Sequence, residues 1–584
     1  MRQPTERPPA PTDRYVALMV QGYAEGMTSS PRTPSAIDKV ADEWVDTIAV
    51  LAPTLGTYIG RDEVNDRFGD LSPAGHEEIA TATRATLAKL GALEPVDAID
   101  EVTKTDLSAE LSLDLELHDA NWHLRDLNVI ASAAQDVRSA FDLMPTATAD
   151  DWSVVAARLA AVPDALKGYT ETLRAGIAAG VTPARRQVIE VATQIDRYTA
   201  DDGFFAAFVA DAAPEEGNLP ASLARTLADN SAAARVAYDE LRGFLAEELA
   251  PVATETDAVG RELYALNSRR FLGATIDLDE TYEWGREELA RMVAEQTAIA
   301  NEILPGASVE EAVAHLEADP TRKLVGTDAL QRWMQETSDR AVAELGATHF
   351  DIPEAIRTLE CMIAPTQEGG IYYTGPTDDF SRPGRMWWSV PEGVTEFDTW
   401  RELTTVYHEG VPGHHLQIAQ AVYNRAELNS WRRLLAGTSG HAEGWALYAE
   451  RLMQQLGYLD DPADRLGMLD GQRMRAARVV LDIGVHLGKP RLEGDGVWDA
   501  EYALDFMRKN VNMSDQFVQF EVNRYLGWPG QAPSYKVGQR IWEQVRDAYQ
   551  AERGADFDVK EFHKRALDMG GVGLDTLRTA LLTR

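Results

Sequence analysis

The chain has 584 residues, 45% of them apolar, and 94 acidic against 56 basic side chains give a formal net charge of −38. That balance argues against nucleic acid as a partner and against docking on an anionic membrane surface. A single cysteine, Cys361, excludes an intrachain disulfide and a thiolate metal cluster, and suggests a reducing compartment.

The chain begins MRQPTERPPAPTDRYVALMV, a stretch with no apolar signal core, and no later stretch approaches the length of a membrane span. A cytoplasmic location is therefore expected. Residues 1–34 read as a disordered or extended, Pro-rich segment. From 35 to 345 apolar residues recur at helical spacing. Helices are expected over Ala36–Leu51, Leu107–Ile130, Asp151–Ala179, Pro183–Ala213, Ser222–Leu249, Tyr282–Leu304 and Thr327–Leu345. Thr148, Asp150 and Asp151 offer caps for one start and Asp277–Glu280 for another, while Gly180 and Gly346 read as stops. This region carries little chemistry and is expected to form one wall of a cleft.

The pattern changes near Phe350, and residues 346–584 read as a separate catalytic region. IRTLECMIAP (356–365), GIYYTGP (370–376) and RMWWSV (385–390) are short, β-branched and aromatic, with Gly/Pro turns between them. They predict a small antiparallel sheet next to the metal-binding helix described below. One edge of such a sheet could pair with an extended peptide. Arg382, in the turn Ser381–Gly384, is a candidate for a substrate carboxylate, although a surface turn is the simpler reading.

The stretch Tyr407–Gln417 reads YHEGVPGHHLQ. Hydrolytic zinc sites use neutral imidazoles and a carboxylate beside the metal, commonly as H-E-x-x-H on one helix. Here His408-Glu409 is present but position 412 is proline. On a straight helix neither His414 nor His415 could share a metal with His408. Pro412 breaks the ladder, and Gly410 and Gly413 permit a bulge. A loop-out of two residues brings His414 into the +4 position; a loop-out of three brings His415. The smaller bulge favours His414, which leaves His415 to contact substrate or a neighbouring carboxylate. Four of the eleven histidines (His408, His414, His415, His441) fall within 34 residues.

Downstream, GTSGHAEGWALYAERLMQ (437–454) forms a helix with an apolar stripe. Glu443, between small neighbours, is the preferred third ligand, and Glu450 is its rival or a partner that holds a His. In MRAARVVLDIGVHLG (474–488), Asp482 and His486 are one turn apart in an apolar helix. The pair is either a structural hydrogen bond or a device that orients His486 toward a reacting carbonyl oxygen. FEVNRYLGWPGQAPSYKVG (520–538) predicts a turn-rich loop and then a helix from about Tyr535. Tyr535 is a candidate oxyanion donor, and Tyr525 and Lys536 are candidate substrate contacts.

HEGVPGHHLQ, GHAEGWALYAE, DIGVH and PGQAPSYKVG together resemble the bacterial family catalogued as domain of unknown function 885, over most of the chain. The resemblance implies a gluzincin-like zinc metallopeptidase: mostly α-helical, two-lobed, with a deep channel, similar in fold to Taq-type carboxypeptidases and thimet-type oligopeptidases. Their H-E-x-G-H pattern, followed by a Glu on a later helix, implies zinc held by His408, His414 and Glu443. The expected activity is hydrolysis of short peptides, as a carboxypeptidase first and an oligopeptidase second. Glu409 would be the base, and His486 or Tyr535 would stabilise the oxyanion. Alternatives are a zinc hydrolase of non-peptide amides or esters, and an inactive binding protein. A monomer or a homodimer is compatible with the sequence.

Overall fold

A computed structural model describes residues 32–364 and 370–582. Residues 1–31 of the expected N-terminal segment lie outside them. The fold is mostly α-helical, as expected, with five short strands among the described residues.

Local signals explain many boundaries. Thr148 caps helix Ala149–Ala179 in a reciprocal capping box with Asp151, and Gly180 ends that helix in the left-handed region at φ 69°. Asp277 caps helix Leu278–Ile303 through the amides of Asp279 and Glu280. The stop expected at Gly346 is not used. Helix Thr327–Thr348 runs through it, and the open side of Gly346 faces Ile352. The run 183–213 divides into Arg185–Thr199 and Phe204–Ala210.

The strands are β1 (Lys323–Val325), β2 (Leu359–Ile363), β3 (Ile371–Thr374), β4 (Gly384–Trp388) and β5 (Glu396–Asp398). β3 and β4 pair antiparallel, β2 adds to β4 in parallel, and β1 pairs antiparallel with β5. The three-stranded sheet sits against helix Thr399–Glu409. Cys361, Met386 and Trp388 share a small core with Phe397 and with Val406 of that helix.

One large core runs from Tyr264 to Leu581 and includes Trp400, Tyr407, Trp445 and Trp542. A second gathers residues 127–253, and a third joins the first helix to Trp431. Helix Ser439–Gln455 crosses helix Gln531–Arg553 at very short range. A Cβ on Gly444 would come within 2.5 Å of the Gly538 backbone, and one on Gly538 within 2.2 Å of the Gly440 carbonyl oxygen. The glycines around Glu443 therefore serve a helix crossing. That crossing fixes the helix carrying Tyr535 against the helix carrying Glu443.

Candidate metal centre

Helix Thr399–Glu409 ends at Glu409, and a new helix, His414–Tyr423, begins at His414. The turn between them contains a cis Val411–Pro412 bond. The amide of Gly413 donates to the Tyr407 carbonyl at 3.1 Å, an i→i−6 bond. Two residues are thus looped out of an i→i−4 ladder. A Cβ on Gly413 would lie 1.9 Å from the His408 carbonyl oxygen, so only glycine fits. The indole N–H of Trp445 donates to the Pro412 carbonyl at 2.9 Å and ties the turn to the Glu443 helix.

The turn brings His408 and His414 face to edge, with ring centroids 4.8 Å apart. Ligand atoms of His408, Glu409 and His414 all lie within 4.8 Å of one another. Glu443 Oε2 stands 3.3 Å from His408 Nε2 and 3.6 Å from His414 Nε2. That oxygen is buried with no well-aligned hydrogen bond, and, against the pull of burial, the two imidazoles hold the Glu443 carboxyl well below the usual range. Ligand atoms around a tetrahedral zinc, with bonds of about 2.0–2.2 Å, are separated by roughly 3.3–3.6 Å. Two imidazole nitrogens and a carboxylate oxygen at this spacing fit a divalent cation, which would also satisfy the buried oxygen. The group could hold a metal ion.

Surrounding contacts prepare it. His408 Nδ1–H donates to Glu450 Oε1 at 2.8 Å, and the other oxygen of Glu450 accepts from Gln472 Nε2 at 2.8 Å. This fixes the tautomer and leaves Nε2 free for the metal. Glu450 is therefore the orienting carboxylate and not a ligand. Burial raises the pKa of Glu409, against the pull of His414 and His408. Burial, reinforced by the Glu443 charge, pushes the Tyr535 phenol up to about 12. The Tyr535 ring lies 5.1 Å from the Arg478 guanidinium and 6.0 Å from that of Arg475.

Other expected residues lie elsewhere. His415 is 1% exposed; its Nε2–H donates to the Ile356 carbonyl at 2.7 Å and its Nδ1 accepts from the Tyr373 hydroxyl at 3.0 Å. Neither nitrogen remains for substrate. A Cβ on Gly384 would overlap this Tyr373–His415 pair. His486 does not pair with Asp482. Its Nε2–H donates to the Tyr525 carbonyl at 3.0 Å and its Nδ1 accepts from the Val259 amide at 3.4 Å, so no N–H is left for an oxyanion. Asp482 Oδ1 instead accepts from the Tyr264 hydroxyl at 2.6 Å and the Gly530 amide at 3.0 Å.

Gly530 caps a helix that starts at Gln531, earlier than expected, so Tyr535 and Lys536 lie inside it. Lys536 is 2% exposed and bound by Gln472, Gln539 and Glu288, which rules out the expected substrate contact. Tyr525 is 0% exposed and locked between Arg478 and Glu521. Arg382 donates to the Gly375 carbonyl at 2.8 Å and closes its own turn. Glu450 as orienting group, Trp445 as clamp and Arg475 as neighbour of Glu409 complete the surroundings. Sequence reasoning weighed Glu450 but did not single out Trp445 or Arg475.

A cavity of about 320 Å³ opens beside the centre, lined by His408, Glu409, Glu450, Arg475, Glu402 and Asp470 among others. A larger one, about 600 Å³, lies against Glu110, Asp114 and Arg270 and touches none of the ligands.

The fold and this group define a mostly helical protein with a buried His-Glu-His set able to hold a metal. The chain belongs to the family described as bacterial protein of unknown function, DUF885, whose model matches residues 53–581. No curated protein matches it. A crystal structure from Colwellia psychrerythraea is 20% identical, with a TM-score of 0.80, covering 94% of this chain and 99% of its own. A structure from Shewanella oneidensis, of unknown function, is 18% identical, with a TM-score of 0.73, covering 94% and 100%. Both show the same fold. A structure of Pyrococcus furiosus carboxypeptidase, 13% identical over 94% of this chain and 96% of its own, scores 0.42, too low to bear on the argument.

The Colwellia and Shewanella proteins are each called a "putative lipoprotein", a description that stands against the cytoplasmic expectation, which is withdrawn. The single cysteine, read above as suggesting a reducing compartment, is compatible with either compartment. Among the described residues no helix is long and apolar enough to cross a membrane.

Proposed function

We propose that the chain is a zinc-dependent peptidase of short peptides, acting chiefly as a carboxypeptidase. The observation that carries this reading is the convergence of His408 Nε2, His414 Nε2 and the buried Glu443 Oε2, with Glu409 beside them. Zinc held by these three side chains would lower the pKa of a water and polarise the scissile carbonyl.

Glu409 accepts the proton of the attacking water and returns it to the leaving amine. Glu450 holds His408 in the tautomer the site needs. Tyr535, its phenol protonated at neutral pH, donates a hydrogen bond to the developing oxyanion. Ile371 of β3 lines the cavity, and among the described residues β3 pairs only with β4. Its other edge can receive an extended peptide backbone.

The test is to incubate the zinc-loaded chain with a peptide library and with acyl esters and lactams, and to read the products by mass spectrometry. Stepwise loss of C-terminal residues is expected. Turnover of esters or lactams with peptides untouched would identify a non-peptide hydrolase. Bound zinc with no turnover of any class would identify a binding protein.

A further inference from the structure

Arg475 enters the cavity beside Glu409, and the carboxyls of Glu409, Glu450 and Asp470 all feel its charge. Among the described residues it has no ion-pair or hydrogen-bond partner, and its Nε is buried and unsatisfied. Neighbouring arginines differ: Arg478 is paired with Glu521 at 2.7 Å and Arg401 with Glu317 at 2.9 Å. A partly desolvated guanidinium with no hydrogen-bond acceptor gains from an anion that supplies the contacts the nearby acids do not make. Its planar fork matches a carboxylate in bidentate fashion.

The guanidinium has a defined place. It folds back one turn over Gly471, where a Cβ would lie 2.8 Å from its Nη1, and its other neighbour is the Tyr535 ring at 6.0 Å. The cavity also holds two further acids, Glu402 and Asp470. Glu402 precedes Glu409 by seven residues on the same helix face, two turns or about 10 Å along the axis. Asp470 feels the charges of Arg401, Arg473 and Arg475. An anionic ligand therefore belongs at the Arg475 end, beside the catalytic base, and away from Glu402. In a peptide cut one residue from its end, the group nearest the scissile bond with that charge is the terminal carboxylate.

We propose that Arg475 is the anchor for the C-terminal carboxylate of the substrate, which makes the cavity the pocket for the departing residue. This inference rests on the peptidase reading but is tested without turnover. Zinc-loaded Glu409→Gln protein is titrated by calorimetry with an N-acetylated peptide library in free-acid form and in C-terminally amidated form. The acid form should bind at least ~10-fold more tightly. Arg475→Met, added to Glu409→Gln, should bring the acid-to-amide ratio to about 1, and Arg475→Lys should keep part of it. Gly471→Ala, which pushes the guanidinium from its seat while keeping its charge, should also lower the ratio. Equal binding of acid and amide, no binding of either, or an unchanged ratio in Arg475→Met would overturn the anchor. Failure of the peptidase reading shows separately, as absence of hydrolysis by the zinc-loaded wild type.

Discussion

The amide of Gly413 donates to the carbonyl of Tyr407, six residues back, at 3.1 Å. This bond carries the ladder across the looped-out residues and sets His414 against His408. Gly413→Ala should break it, because the added Cβ would stand 1.9 Å from the His408 carbonyl oxygen, a backbone atom unable to move aside freely. A loss of roughly 2–4 kcal/mol in unfolding free energy, with weakened metal binding, is expected from denaturant titration and zinc analysis. A stable, zinc-binding Gly413→Ala protein would show that the turn tolerates another path.

Glu409→Gln removes the base and no ligand. It should retain zinc and lose on the order of 10²-fold or more in turnover. Near-normal hydrolysis in this variant would assign the base elsewhere.

Glu450 accepts the His408 Nδ1–H at 2.8 Å. Glu450→Ala should weaken zinc affinity by roughly 10–100-fold, and Glu450→Gln by less, since an amide oxygen still accepts the bond. Competition with a zinc chelator measures both. Equal affinity in wild type and Glu450→Ala would leave that contact without a role in metal binding.

Asp482 is buried, and burial pushes its carboxyl up to about 7 against the hydrogen bonds from Tyr264 and Gly530. The unfolded chain has an ordinary value near ~3.9. Between these values the folded state holds the proton more tightly, so this contribution to stability is full below about pH 4 and lost as pH rises through about 7. Asp482→Asn keeps an acceptor oxygen for both donors and cannot titrate. Its stability relative to wild type should improve between pH 5 and pH 8, by about a few kcal/mol at most. An equal loss at both pH values would contradict the titration.

The sequence shows part of the site and hides the rest for a physical reason. His408, Glu409 and the break at Pro412 are near neighbours, so spacing and helix geometry alone reach the choice between His414 and His415. The Tyr373–His415 bond, which commits His415 to the sheet, joins residues 42 apart. His486 reads as a candidate because a polar side chain in an apolar helix must have a partner, and Lys536 and Tyr525 because they flank a turn-rich loop. Their partners come from distant segments: Val259 for His486, Glu288 for Lys536 and Arg478 for Tyr525. Composition does not distinguish a polar group facing a cavity from one satisfied by a distant backbone. Arg475, which the sequence does not single out, lines the cavity.

Metal content of dialysed protein tests the centre most directly. By elemental analysis the wild type should carry one zinc per chain, His414→Ala and Glu443→Ala should carry close to none, and His415→Ala, if folded, should carry one. Zinc kept in His414→Ala and lost in folded His415→Ala, or a wild type that binds no divalent metal, would contradict the account.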